Sequence, residues 1–331
     1  MRQMATVAFL LAGMVLVGIQ LCKATMDPAA DAPPQLVSPY QHYDLKLRTF
    51  IPSPRSPAGV LLSVRINAGR PLRMILDSGA DLIVIGGKDA RSAGLSGGAE
   101  IDLVGLGRRI ASVVQVETVE VGPVAYRNCR VAYVKGNVID GADGVIPLKL
   151  FSDFIVRLNL TGETLGLIPY PIEGNPDVPP AGRIHKHDPL LVPTVLNGSR
   201  SGYVVLDTGA YRSAVSGEAA RTLSGFPMVP EVRVAAGTGA ASGQRVSSLI
   251  HFAIADRDLI ADDVVALDLS NLSRHYGVEV LGVLGFPALT PYVLTVDYRS
   301  GQVKIESPQK VSSRELHRGQ YGDPPSQLAF R

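Results

Sequence analysis

The sequence predicts a mostly β chain made of two similar lobes with a site between them. Three observations carry that reading. The first is composition: 34 Gly and 24 Pro in 331 residues supply the turns that many short strands need. The second is an internal repeat at an offset of 130 positions. The third is a motif, Asp-Ser/Thr-Gly-Ala, found at the same place in each copy.

Composition also narrows the function. Hydrophobic residues make up 46% of the chain, enough to build a packed core and to argue against wholesale disorder. The formal net charge is +2 and Trp is absent. No basic stretch recurs with aromatic residues, so a nucleic-acid groove is not expected. The two cysteines, Cys22 and Cys129, do not make a disulfide framework. Cys129 reads as a small buried hydrophobe.

Taken in order, the chain begins with an uncharged run, Met4 to Cys22, preceded by Arg2. This reads as a signal peptide or signal anchor occupying residues 1–24. Either reading puts the remainder outside the cytoplasm, periplasmic or secreted, with the anchor form held at a membrane. Residues 25–56 are rich in Pro and Ala and read as a spacer or pro-segment. The first lobe spans 57–170. A Pro/Gly linker spans 171–187, where proline removes backbone donors. The second lobe spans 188–306, and 307–331 form a flexible polar tail.

The repeat defines the lobes. Leu61 to Ile85 aligns without gaps on Leu191 to Val215, matching Asn67 with Asn197, Arg70 with Arg200 and Asp77 with Asp207. Downstream, Gly144 to Leu167 aligns on Gly282 to Ile305 at an offset of 138. The second copy therefore holds eight extra residues between its blocks. Midway, Gly105-Leu106-Gly107 and Gly237-Thr238-Gly239 lie between β-forming segments and read as hairpin tips.

Each motif is a strand running into a Gly-containing turn. Apolar residues before Asp77 and Asp207 would anchor the strand. Gly79 and Gly209 can take conformations closed to other residues and permit close approach. The hydroxyls of Ser78 and Thr208 can both donate and accept. Such turns would hold two carboxylates in fixed directions. Structural turns in which Asp caps its own backbone would explain each motif, but not the repeated downstream block.

These residues resemble the retropepsin-like aspartic proteases, and more broadly the pepsin-like clan, over roughly 58–170 and 188–306. Asp77-Ser78-Gly79-Ala80-Asp81 is similar to the family's catalytic motif with its following acidic residue. Gly144-Val145-Ile146 and Gly282-Val283-Leu284 resemble its second conserved segment, and the Gly-X-Gly tips its flaps. The resemblance implies two retropepsin-like β-barrel lobes related by pseudo-twofold symmetry, with the active site between them. It implies an aspartic-type endopeptidase in which Asp77 and Asp207 share catalysis. Ser78 and Thr208 would cross-brace the turns. Gly105, Leu106, Gly107, Gly237, Thr238 and Gly239 would close over an extended polypeptide, and Asp81 would touch the substrate backbone. The chain would be a monomer with pseudo-dimeric lobes, needing no cofactor and no metal. It departs from the pattern at Tyr211, which stands opposite Asp81, and at Pro147, where the second copy has Gly285.

Other chemistries fit less well. His185-Lys186-His187 is the close histidine pair, and it lies in the linker without a helical metal motif. No Gly-X-Ser-X-Gly elbow is present, and Gly105-Leu106-Gly107 lacks the third glycine of a dinucleotide fingerprint. The rival from another class is a catalytically silent peptide-binding or scaffold module on the same fold.

Overall fold

The computed structural model describes residues 18–20, 33–51, 58–105, 107–171, 182–183, 190–222, 228–236 and 238–307. Its strands form sheets of ten, six and nine strands. Except at its margins, the ten-stranded sheet comes from residues 48–147, and the nine-stranded sheet from residues 191–284. The six-stranded sheet draws on both halves. Phe154–Asn159 pairs antiparallel with Val293–Asp297, and each is flanked by its own hairpin partner, Thr164–Pro169 and Gln302–Glu306.

Around each motif the strand order repeats. Leu72–Asp77 runs parallel to Gly144–Pro147, which pairs antiparallel with Ile83–Gly86. Arg200–Leu206 runs parallel to Val280–Leu284, which pairs antiparallel with Ala214–Ser216. The two short central strands, Gly144–Pro147 and Val280–Leu284, are buried throughout. Strands covered on both faces carry continuous apolar runs rather than alternation.

The aligned residues Asn67 and Asn197 sit in left-handed turns, at φ 50° and 45°, a conformation Asn tolerates better than most residues. Asn67 Oδ1 accepts from the N–H groups of Glu117 and Thr118, and Asn197 Oδ1 from that of His251. The aligned arginines are clamps. Arg70 donates to Asp89 on the helix Gly87–Ser92 and to Asp143 just before the central strand. Arg200 donates to Glu218 on the helix Gly217–Thr222 and to Glu279 just before the other central strand.

The spacer reading of 25–56 needs correction. Tyr43–Lys46 and Arg48–Phe50 are strands of the fold, and Tyr43, Leu45, Leu47 and Phe50 are buried. Tyr43–Lys46 pairs with Thr164–Leu167 at the edge of the shared sheet. The linker also contains a paired stretch, Gly182–Arg183 against Gln302 and Val303. His185 and His187 lie outside the described residues.

Of the leader, 18–20 are described, as a short strand antiparallel to Asp102–Val104. Among the described residues no helix is long and apolar enough to cross a membrane. Cys129 is buried, and burial pushes its thiol up to about 12, which leaves it protonated and inert. The tail beyond Ser307 lies outside the described residues.

The extra residues of the second half can be placed. Ala132 and Val265 occupy corresponding positions, an offset of 133, while Gly144 and Gly282 are offset by 138. Five of the eight therefore fall between these points, where the second half builds the helix Ser270–Tyr276.

Candidate active site

Asp77 ends the strand Leu72–Asp77, and Asp207 follows directly on Arg200–Leu206. Both side chains are fully buried. Leu206 is matched with Leu284 across the parallel pair, and the Asp207 N–H donates to the Leu284 carbonyl at 2.9 Å. In the first half Pro147 is matched with Asp77. Each carboxylate is thus held by a core strand at its root.

The two turns brace each other. The Ser78 N–H donates to Thr208 Oγ1 at 3.1 Å, and the Thr208 N–H donates to Ser78 Oγ at 3.0 Å. Each hydroxyl then donates onward: Ser78 to the Leu206 carbonyl and Thr208 to the Leu76 carbonyl, both at 2.7 Å. Each hydroxyl so accepts one bond and donates another, which fixes both turns and leaves no buried polar atom of the four unmatched.

One oxygen of each aspartate is tied to its own turn. The Gly79 N–H donates to Asp77 Oδ1 at 2.7 Å and the Gly209 N–H to Asp207 Oδ1 at 2.9 Å. The self-capping expected of a structural turn is therefore present, but it uses only half of each carboxyl. The other oxygens, Asp77 Oδ2 and Asp207 Oδ2, are buried without a donor. They face the opposite turn: a Cβ added at Gly79 would stand 2.8 Å from the Asp207 carboxyl, and one at Gly209 2.6 Å from that of Asp77. Neither glycine has a positive φ. Their role is clearance for the other half's carboxylate, not a left-handed backbone.

Burial and proximity set the charge state. Burial first, then the Asp207 charge, pushes Asp77 well above the ordinary 3.8, and the Asp81 charge adds to it. Burial raises Asp207 to about 7, while the neighbouring Asp77 carboxyl and the N–H groups of Gly209 and Ala210 pull the other way. Two facing carboxyls with undonated oxygens cannot both ionise cheaply, so the pair retains a proton near neutrality and titrates as a unit.

The Gly-X-Gly stretches are hairpin tips. Gly105 and Gly107 connect Ala99–Val104 to Arg108–Val121, and Thr238 with its neighbours connects Met228–Ala236 to Gly239–Val246. The tips approach each other, the Gly107 N–H lying 3.5 Å from Thr238 Oγ1, and Thr238 is fully buried. Leu106 and Gly237 lie outside the described residues. Tyr211, opposite Asp81 in the repeat, packs against apolar clusters of both halves.

Gly285 and Pro147 differ for a spatial reason. A Cβ at Gly285 would meet Arg212 at 2.6 Å and the Ala210 carbonyl at 2.7 Å, so only glycine fits. Pro147 begins the short helix Leu148–Phe151 at φ −70°, an angle proline prefers.

A cavity of about 1270 Å³, lined by Ser216, Gly217, Leu267 and Ser270 among others, has neither aspartate in its lining. A smaller cleft of about 590 Å³ lies between Val104, Gly107 and Arg108 of the first hairpin tip and Asn271, Arg274 and His275 of the inserted helix. Sequence reasoning did not foresee this helix. The eight-residue excess was its visible signal. Among the described residues, no group of His, Cys, Asp and Glu could hold a metal ion.

Residues 62–146 match the family model described as aspartyl protease, a family of the retropepsin-like clan. The matched segment includes Asp77 and the first hairpin tip and ends before Asp207. No curated protein matches the chain.

Proposed function

We propose that this chain, with an aspartyl protease segment at 62–146, is an aspartic endopeptidase that completes its active site from its own second half. The observation carrying this reading is the buried pair. Asp77 and Asp207 each turn an undonated oxygen toward the other's turn, inside a reciprocal Ser78–Thr208 brace. The repeated strand order supports two β-barrel lobes related by pseudo-twofold symmetry, with the site at their junction.

In the mechanism, the ionised carboxyl removes a proton from a water and the protonated one donates to the scissile carbonyl oxygen. Attack of the water on the carbonyl carbon forms a tetrahedral gem-diol with no covalent enzyme intermediate. Proton transfer to the amide nitrogen then breaks the C–N bond and restores the shared proton. The hairpin tips would close over an extended peptide, excluding water from the pair and offering main-chain ladder bonds. Asp81 would contact the substrate backbone. The apolar leader supports an extracytoplasmic location.

Asp77→Asn and Asp207→Asn test the reading, because each removes one carboxyl while keeping its shape. A diverse peptide pool, with cuts read by mass spectrometry, should show losses of roughly 10²–10⁴-fold for either variant. Near-normal turnover by either one would end the shared-pair mechanism. Well-folded wild type that binds peptides without cutting them would favour the silent binding module.

A further inference from the structure

We propose that the cleft between the first hairpin tip and the inserted helix is a subsite for an acidic side chain of the peptide, recognised by Arg274 and Arg108. This rests on the protease reading for the peptide's path, and it deepens that reading by naming a substrate class. The helix Ser270–Tyr276 has two faces. Leu272 and Tyr276 are buried in the apolar cluster that also holds Ala210, three residues after Asp207. Asn271, Arg274 and His275 are exposed and form one wall of the cleft.

The helix is also tied to the catalytic turn through the chain. It leads into Val280–Leu284, and the Leu284 carbonyl receives the Asp207 N–H. The opposite wall is the tip whose Gly107 approaches Thr238 of the second tip. On the protease reading, an extended chain passing under the tips would run beside this cleft.

Its charge is one-signed. Arg108, Arg274 and His275 line it, and no carboxylate does. One nearby acid reaches a wall residue: Asp102 Oδ2 stands 4.0 Å from Arg108 Nη1, a long contact between exposed side chains that an incoming carboxylate can displace. Asp268 accepts the Ser270 N–H at 2.9 Å and lies near enough to Arg274 for their charges to interact, but it lines the neighbouring cavity rather than this cleft. Arg274 donates to Asn271 Oδ1, a neutral acceptor, which orients the guanidinium without neutralising it. Two guanidinium groups on facing walls form a fork suited to a carboxylate. The corresponding turn of the first half, residues 135–143, lacks this helix, so the preference falls on one side of the scissile bond.

The test uses the full chain carrying Asp207→Asn, with extended peptides that differ only in Glu, Gln or Lys at each scanned position. At one position Glu should bind about tenfold more tightly than Lys, and the gap should narrow as salt is raised. Arg274→Glu should reverse the order, and Arg108→Glu, on the other wall, should do so independently. Indifference to charge at every position, or an unchanged ranking in both variants, would overturn the subsite. Wild type is then given the same peptides. A Glu preference in binding without cleavage keeps the subsite and removes the protease reading. Cleavage indifferent to charge does the reverse. Failure of every peptide to bind overturns both.

Discussion

At the residue scale, the two aspartates carry an unusual charge for their type. Most folded-state carboxylates are stabilised as anions, whereas burial raises both of these. The sign follows. Between the ordinary 3.8 and the value of about 7 for Asp207, the folded state binds more protons than the unfolded chain. Stability from this group is complete below that window and is lost as pH rises through it. Wild type should therefore lose on the order of 2–4 kcal/mol between pH 4 and pH 8 from this source. Asp207→Asn, which cannot ionise, should flatten the slope in urea titrations at stepped pH. A slope unchanged by the substitution would mean that other groups set it. The aspartates, hydroxyls and glycines of the motif were all legible in the sequence. The reason for the glycines was not, because a carboxyl arriving from 130 residues away leaves no local trace.

At the element scale, the stretch before the first lobe is the sharpest departure from the sequence reading. Its alternation was visible: Tyr43, Leu45 and Leu47 are buried while Asp44, Lys46 and Arg48 are exposed, a period of two expected of a half-covered strand. Neighbouring proline and alanine made the whole region resemble a linker. A spacer would leave no buried side chains behind, whereas these strands bury four. A chain starting at residue 58 would lose the buried side chains of Tyr43, Leu45, Leu47 and Phe50. At about 1.5–3 kcal/mol each, that approaches the whole stability of an ordinary domain. It would also bare the edge at Thr164–Leu167. Such a chain should be insoluble or melt far below one starting at residue 33, by calorimetry of the two. Equal melting temperatures would show that this strand pair contributes little. The helix Ser270–Tyr276 was hidden for a different reason: an excess length tells where residues were added, but not what they build.

At the scale of the whole molecule, the two halves are joined at more than one place. The Ser78–Thr208 brace ties them at the site, and the shared sheet ties them at Phe154–Asn159 and Val293–Asp297. Strand character at both segments could be read from their apolar runs. That they pair with each other could not, since partners almost 140 residues apart carry no local signal. The consequence concerns assembly. A site formed from two copies of one Asp-bearing chain disappears on dilution, because the second carboxyl comes from a separate molecule. Here both carboxyls, the brace and the shared sheet belong to one chain, and the cost of bringing the halves together is a loop closure that grows only slowly with length. Activity per molecule should therefore stay constant across a dilution series that dissociates a weak dimer, with light scattering reporting one chain throughout. The halves should also unfold together, with tyrosine fluorescence and circular dichroism tracing a single transition. Activity that falls with dilution, alongside a scattering mass of two chains, would mean that the intramolecular pair is not the working site.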